Sequence, residues 1–311
     1  MIDWLLDSDP SVKWKVQRDL LECKEKEFNK TRSLISAKGW GKELLSYQDT
    51  DTSLWANGIY GPKWKSTTYT MLSLMRMGLC PDNKQAINSC RLFLDKGHYK
   101  DGGINFFKSM NVSELCVSGL ILQILSYFDI EDERIHSIPG YLLDSQRSDG
   151  GWNCDDYRYK VSHSSFHTTI NVMEGLLEYS KKYRRYNNEI KKSLDAAVEF
   201  LLEHEVYKSS TTKEVFDIRM TYMAYPYRWK YDAFRFLDFL VDFEFGYDER
   251  FEDAIRLLLK KRTKDGYWKM QGKYTGKVFF DFEPYGKISK INTFRALRII
   301  KWYEGVKLKF I

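Results

Sequence analysis

The chain has 311 residues, 43% apolar and 16% aromatic, so it is large enough to bury one sizeable core. No apolar run approaches the length of a membrane span, which excludes a transmembrane segment, and the amino end carries acidic residues where a signal peptide would carry basic ones. The formal charge of +6 is mild and its Lys and Arg are interleaved with Asp and Glu, so charge alone selects no nucleic-acid partner.

In chain order, Asp3-Trp4-Leu5-Leu6 reads as a segment that packs against its neighbours. Asp9-Pro10-Ser11 reads as a helix start with Pro in the first turn, followed by an amphipathic helix over 12–21. Residues 1–30 are thus expected to form an N-terminal closing helix. Apolar helices are expected over 64–79, 113–128, 166–179, 229–241 and 291–303. Several are apolar nearly all round, as in the run from Leu115 to Leu125, and should be buried. Between them, segments 83–94, 131–143, 188–202 and 248–261 mix Lys, Asp and Glu with Leu, Ile and Phe and read as one-sided outer helices. The dense basic cluster Lys181-Lys182-Tyr183-Arg184-Arg185-Tyr186 follows an inner helix, where cations complement the carbonyl end of the dipole. The reading is therefore a solvated cap, with no nucleic-acid partner.

Each buried segment is preceded by a related loop. The fullest version is Gln146-Arg-Ser-Asp-Gly150-Gly151-Trp152; degraded versions are Gln48 before Trp55, Gly97 before Asp101-Gly102-Gly103, His204, and Arg262 before Asp265-Gly266-Tyr267-Trp268. A period of about fifty residues corresponds to two helices per unit. Without alternating β-branched runs, the expectation is an all-α protein of five to six helix pairs in a single domain over 1–311. Two arrangements fit: two concentric rings of helices, an α/α toroid, or an open solenoid of the same pairs.

The Gln-x-x-x-Gly-x-Trp loop resembles the signature of the terpenoid cyclase and protein prenyltransferase superfamily, the squalene cyclases included. That resemblance implies a toroid with parallel inner helices around a central cavity, and an isoprenoid or other apolar small-molecule ligand. Phe166-His167-Thr168-Thr169 looks like the segment of prenyltransferase β subunits in which a zinc-ligand His begins an inner helix. Those enzymes also take an acid and a thiol, ordered Asp-x-Cys, from a different loop. This chain departs from them in having Cys154-Asp155-Asp156 upstream of the His in the same repeat. The Asp-x-Asp-Asp motif of cyclases that protonate an alkene does not occur, nor does Asp-Asp-x-x-Asp.

Residues distant in sequence gather wherever inner-helix starts share a rim, which selects the candidates. Cys154, Asp156, His163 and His167 offer thiolate, carboxylate and imidazole, all accepted zinc ligands, and three protein ligands leave an open position. The competing reading is a structural polar loop in which Ser164-Ser165 caps the helix, His163 stays in the loop and the carboxylates serve as caps. Asp155, Asp156, Glu283 and Asp232 are the candidate acid and base groups. Lys63, Trp64, Glu114, Trp152, Tyr227, Arg228, Trp229 and Tyr231 are candidate ligand contacts, with Arg228 suited to a carboxylate or diphosphate; alternatively the aromatics fill the inner layer and Arg228 pairs with Asp232. Three functions follow: a metal-assisted enzyme acting on an isoprenoid or other apolar substrate, a carbohydrate-active toroid using a carboxylate pair, or a non-catalytic ligand-binding ring. Five cysteines with no pairing pattern suggest a reducing compartment, the cytoplasm.

Overall fold

Helices occupy the places that the apolar periodicity marks. The computed structural model describes every residue except Asp156, Tyr157, Arg158, Lys273 and Ile311, together with the side chain of Phe310. In chain order the α-helices are α1 (Ile2–Leu6), α2 (Pro10–Lys15), α3 (Glu25–Arg32), α4 (Gly39–Ser46), α5 (Thr67–Met77), α6 (Lys84–Gly97), α7 (Leu115–Tyr127), α8 (Ser137–Asp144), α9 (Phe166–Lys182), α10 (Asn187–Glu203), α11 (Ala233–Asp242), α12 (Glu252–Lys260) and α13 (Lys290–Phe310). No strand occurs among the described residues, only isolated bridges such as Gln48–Trp55 and His98–Ile104 within the loops. The chain divides into two compact units, one of residues 1–46, 76–80 and 202–311, the other of 47–75 and 81–201.

In the first of these, α2 starts as its sequence dictates. Asp9 is the N-cap, with Pro10 in the first turn, and the Asp9 carboxylate accepts from the Ser11 amide at 2.9 Å and the Ser11 hydroxyl at 2.6 Å. Past Lys15 the helix widens into a π turn over Val16–Leu20. The segment expected to pack against its neighbours does so: Leu5, Val12 and Val16 share a buried cluster with Ile291 and Phe294 of α13. Lys301 of that helix donates to the Asp19 carbonyl at 2.9 Å.

The second unit is built around α7 and α9. Eleven of the thirteen residues of α7 are buried, so it has no solvent face and needs no amphipathic pattern. Its contact with α9 is made by glycines: a Cβ on Gly119 would lie 2.6 Å from the Asn171 carbonyl oxygen, and one on Gly175 would lie 2.4 Å from the Gly119 carbonyl oxygen. The two backbones therefore touch where neither has a side chain.

Helices α8 and α12 begin with a shared device. Asp132 and Asp248 each cap a short 3₁₀ turn by accepting from the amide two residues on, and the Arg at that position, Arg134 or Arg250, folds back onto the same carboxylate. The basic cluster spans the last turn of α9 and the residues beyond it, and acids meet it: Lys182 pairs with Asp129 at 2.6 Å and Arg185 with Glu133 at 3.2 Å. No helix among the described residues is long and apolar enough to cross a membrane.

The glycine contact yields a paired expectation. Gly175→Ala forces backbone against backbone and lowers the free energy of unfolding by about 1–3 kcal/mol. Gly305→Ala, on α13 with open space around it, is neutral or stabilises by about 1 kcal/mol. Urea denaturation of both variants measures the contrast.

Candidate functional site

Four loops, those ahead of α5, α7, α9 and α13, each bury a backbone N–H that needs an acceptor, and the helix that follows supplies it. The amides of Trp55, Ile104, Trp152 and Trp268 donate to the hydroxyls of Thr67, Ser118, Thr169 and Thr293 at 2.9–3.1 Å. In two loops the tryptophan is a second peg, because the fully buried indoles of Trp152 and Trp268 donate to the carbonyls of Leu142 and Leu258 at 2.7 and 2.8 Å. The loop aspartates Asp101 and Asp149 each take the amide and the hydroxyl of a serine, Ser113 and Ser164, at 2.5–2.7 Å. Gln146 donates to the carbonyls of Gly150 and Ser193, tying its loop to α10.

This anchoring carries Cys154 to the start of α7. Two residues after the Trp152 peg, the Cys154 amide donates to the Thr168 hydroxyl at 3.3 Å, and the Cys154 sulfur accepts the Cys116 amide at 3.1 Å. Cys116 lies in the first turn of α7, whose N-cap is Glu114. Its thiol donates to Glu114 Oε1 at 3.4 Å. The donor atoms of Glu114, Cys116 and Cys154 all lie within 4.8 Å of one another. The bond to Cys154 holds the Cys116 thiol well above its ordinary pKa, with burial and the charges of Cys154 and Glu114 acting the same way.

A cavity of about 510 Å³ lies in the same unit, lined by Ile59, Tyr60, Gly61, Lys63, Lys96, Phe106 and Phe107. Tyr60 stacks with Phe106 at 6.4 Å between centroids and meets Phe107 edge-on at 5.3 Å. Burial drives the Tyr60 hydroxyl above the tyrosine range; Tyr69 raises it further, and so do Cys116 and Glu114.

The other expected residues are distributed as follows. Asp156 lies outside the described residues. Asp155 is exposed, and its amide donates to the Asn153 side chain. His163 is exposed, with its carbonyl bonded to Asn153, as the loop reading requires. Ser165 caps α9, and the half-buried His167 follows in its first turn. Neither histidine joins the Glu114–Cys116–Cys154 group. Lys63 is exposed at the cavity, whereas Trp64 is buried edge-on to Tyr69 and Trp152 is the loop peg. Glu283 accepts from the Ser289 hydroxyl and from the Lys290 amide at 2.7 Å, so it serves the start of α13, and burial raises its pKa.

Asp232, fully buried, is the N-cap of α11 and is pushed up to about 6, by burial above all, against the pull of Arg295 and Arg235. Tyr231 is buried and donates to the Val206 carbonyl at 2.5 Å, and Trp229 lies under the Lys230 ammonium at 3.8 Å. Buried Arg228 accepts at its carbonyl from Arg76 at 3.0 Å. Half-buried Tyr227 has the guanidinium carbons of Arg76, Arg235 and Arg295 at 4.0, 4.8 and 5.1 Å from its ring centre.

From residue order alone Cys154 is a metal candidate and Glu114 a ligand contact, while Cys116 carries neither role. The available signal was Glu114-x-Cys116 at a helix start, a carboxylate and a thiol two residues apart in a loop other than that of Cys154.

No protein-family model matches the chain, and no match to a curated protein is found.

Removing the hydroxyl that holds the Trp152 amide orphans a buried donor. Thr169→Val is expected to cost about 1–3 kcal/mol, and Thr169→Ser clearly less. Chemical denaturation distinguishes the two.

Proposed function

We propose that the protein is a metal-assisted enzyme of the prenyltransferase and terpene cyclase kind, with zinc held by Glu114, Cys116 and Cys154 and an apolar substrate in the adjoining aromatic cavity. The observation that carries this reading is the convergence, within 4.8 Å, of a carboxylate and a thiol from the start of α7 and a thiol from the loop before α9. That donor set suits zinc, since thiolate favours a soft or borderline ion and a set of three leaves a position open for substrate or water. Glu114-x-Cys116 also has the acid-then-thiol order of the prenyltransferases, with Glu in place of Asp. When bound, the ion supplies Lewis-acid activation of a thiol, water or leaving group.

The chain's own residues provide the rest. Thr168 and the Trp152 peg fix Cys154, so the donors are arranged before any ligand arrives. Tyr60, Phe106 and Phe107 offer ring faces to an isoprenoid or similar apolar chain, and Lys63 and Lys96 offer cations to an anionic end group. Glu283 and Asp232 both cap helices, which favours metal-assisted chemistry over a carboxylate-pair mechanism on sugars. The shared loop hydrogen bonds and the packing of Leu5, Val12 and Val16 on α13 support an α/α toroid as the scaffold. Free cysteines suit a reducing cytoplasm.

Elemental analysis of protein purified without chelators tests the reading. Near-stoichiometric zinc is expected, lost in Cys116→Ala and Cys154→Ala and kept in His163→Ala. Metal-free protein, or retention of zinc in both cysteine variants, overturns it.

A further inference from the structure

The same two sulfurs are placed for a second chemistry. Cys116 and Cys154 stand 38 positions apart in sequence, one in the first turn of α7 and the other in the loop before α9, and approach within 4.8 Å, with the Cys116 amide on the Cys154 sulfur at 3.1 Å. A disulfide requires the two side chains to face each other and to close to a bond of about 2 Å. Here the two sulfurs already lie within 4.8 Å of each other, and the Cys154 sulfur rests against the Cys116 backbone. Access to the two thiols is unequal: Cys154 is half-buried, whereas Cys116 is 9% exposed at the foot of α7. A small reagent reaches Cys154 first and leaves Cys116 to act from behind it. The other free thiols include Cys90, which is wholly enclosed.

We propose that Cys116 and Cys154 form a reversible disulfide by exchange with a low-molecular-weight disulfide, making this pair a redox modification site. The Cys154 sulfur attacks one sulfur of the small disulfide, whose S–S bond breaks, and one small thiol leaves with the proton that Cys154 gives up. The Cys116 sulfur then attacks the Cys154 sulfur of the mixed disulfide, and a second small thiol leaves with the Cys116 proton. Two protein thiols are oxidised to one disulfide, and one small disulfide is reduced to two thiols. The exchange needs no metal. Its regulatory consequence rests on the metal reading above: sulfurs joined to each other no longer serve as thiolate ligands, so oxidation releases the ion.

The test uses the full chain, as purified and after chelator treatment under reducing conditions, incubated with oxidised glutathione and then alkylated. Intact mass taken before alkylation should fall by two hydrogens, the alkylated sample should carry two fewer alkyl groups than its reduced control, a non-reduced digest should join the Cys116 and Cys154 peptides, and a reductant should reverse these changes. Cys116→Ser should stop at a stable mixed disulfide on Cys154. Cys154→Ser, which keeps the more buried thiol, should stay largely unmodified at Cys116. A persistent mixed disulfide in the unsubstituted protein, a bridge to Cys23 or Cys80, or no bridge in the metal-free form overturns the proposal. The bridge forming in a protein that never holds zinc overturns the metal reading alone, and zinc bound with no bridge after its removal overturns the disulfide alone. If both readings hold, a zinc-sensitive dye should report release of the ion in step with loss of free thiols.

Discussion

A buried amide that follows a tight loop has to be satisfied, and in this chain one hydroxyl on the next helix satisfies it. Trp55, Ile104, Trp152 and Trp268 stand in the same relation to Thr67, Ser118, Thr169 and Thr293. An unmet donor in an apolar surrounding costs more than the net gain from an ordinary hydrogen bond, so the contact restricts where a loop can sit as much as it stabilises it. The position of Cys154 inherits that restriction, because its own amide meets Thr168, the residue before the hydroxyl that holds Trp152. Chemistry at a loop thereby acquires the rigidity of a helix.

Much of this architecture can be read from residue order. The near-continuous apolar run from Leu115 to Leu125 can only be a buried helix at this length, and Asp9-Pro10 announces a helix start by itself. Ser165 caps where a serine before an apolar run should. Less legible were the 3₁₀ turns opening α8 and α12, whose signal is an Asp followed two residues later by an Arg. The π turn after Lys15 left no mark in the apolar pattern. The site was half legible. Spacing exposed Cys154 and Glu114 as notable, but the donor that joins them is decided by which helix start the loop reaches, a fact of tertiary packing. The histidines drew attention through local chemistry, and local chemistry does not report distance.

The first unit places a different kind of group under constraint. Arg76, Arg235 and Arg295 lie against one phenol ring, Arg76 and Arg235 also donate to backbone carbonyls, and Arg295 pairs with Asp238 at 2.6 Å. Guanidinium is the cation best suited to this, being planar and more weakly hydrated than an ammonium. Asp232 illustrates the opposite balance, since burial outweighs the nearby cations and lifts its carboxyl. Tyr227 is therefore scaffold for charge as well as packing.

The packing of Val12 and Val16 on Ile291 and Phe294 bears on how the protein is made. During synthesis these early residues emerge long before their partners exist, and their apolar surface must wait while more than 270 further residues are added, on the order of half a minute at ribosomal speeds. Through that interval the nascent chain carries an unburied apolar stripe, the kind of surface that chaperones shield.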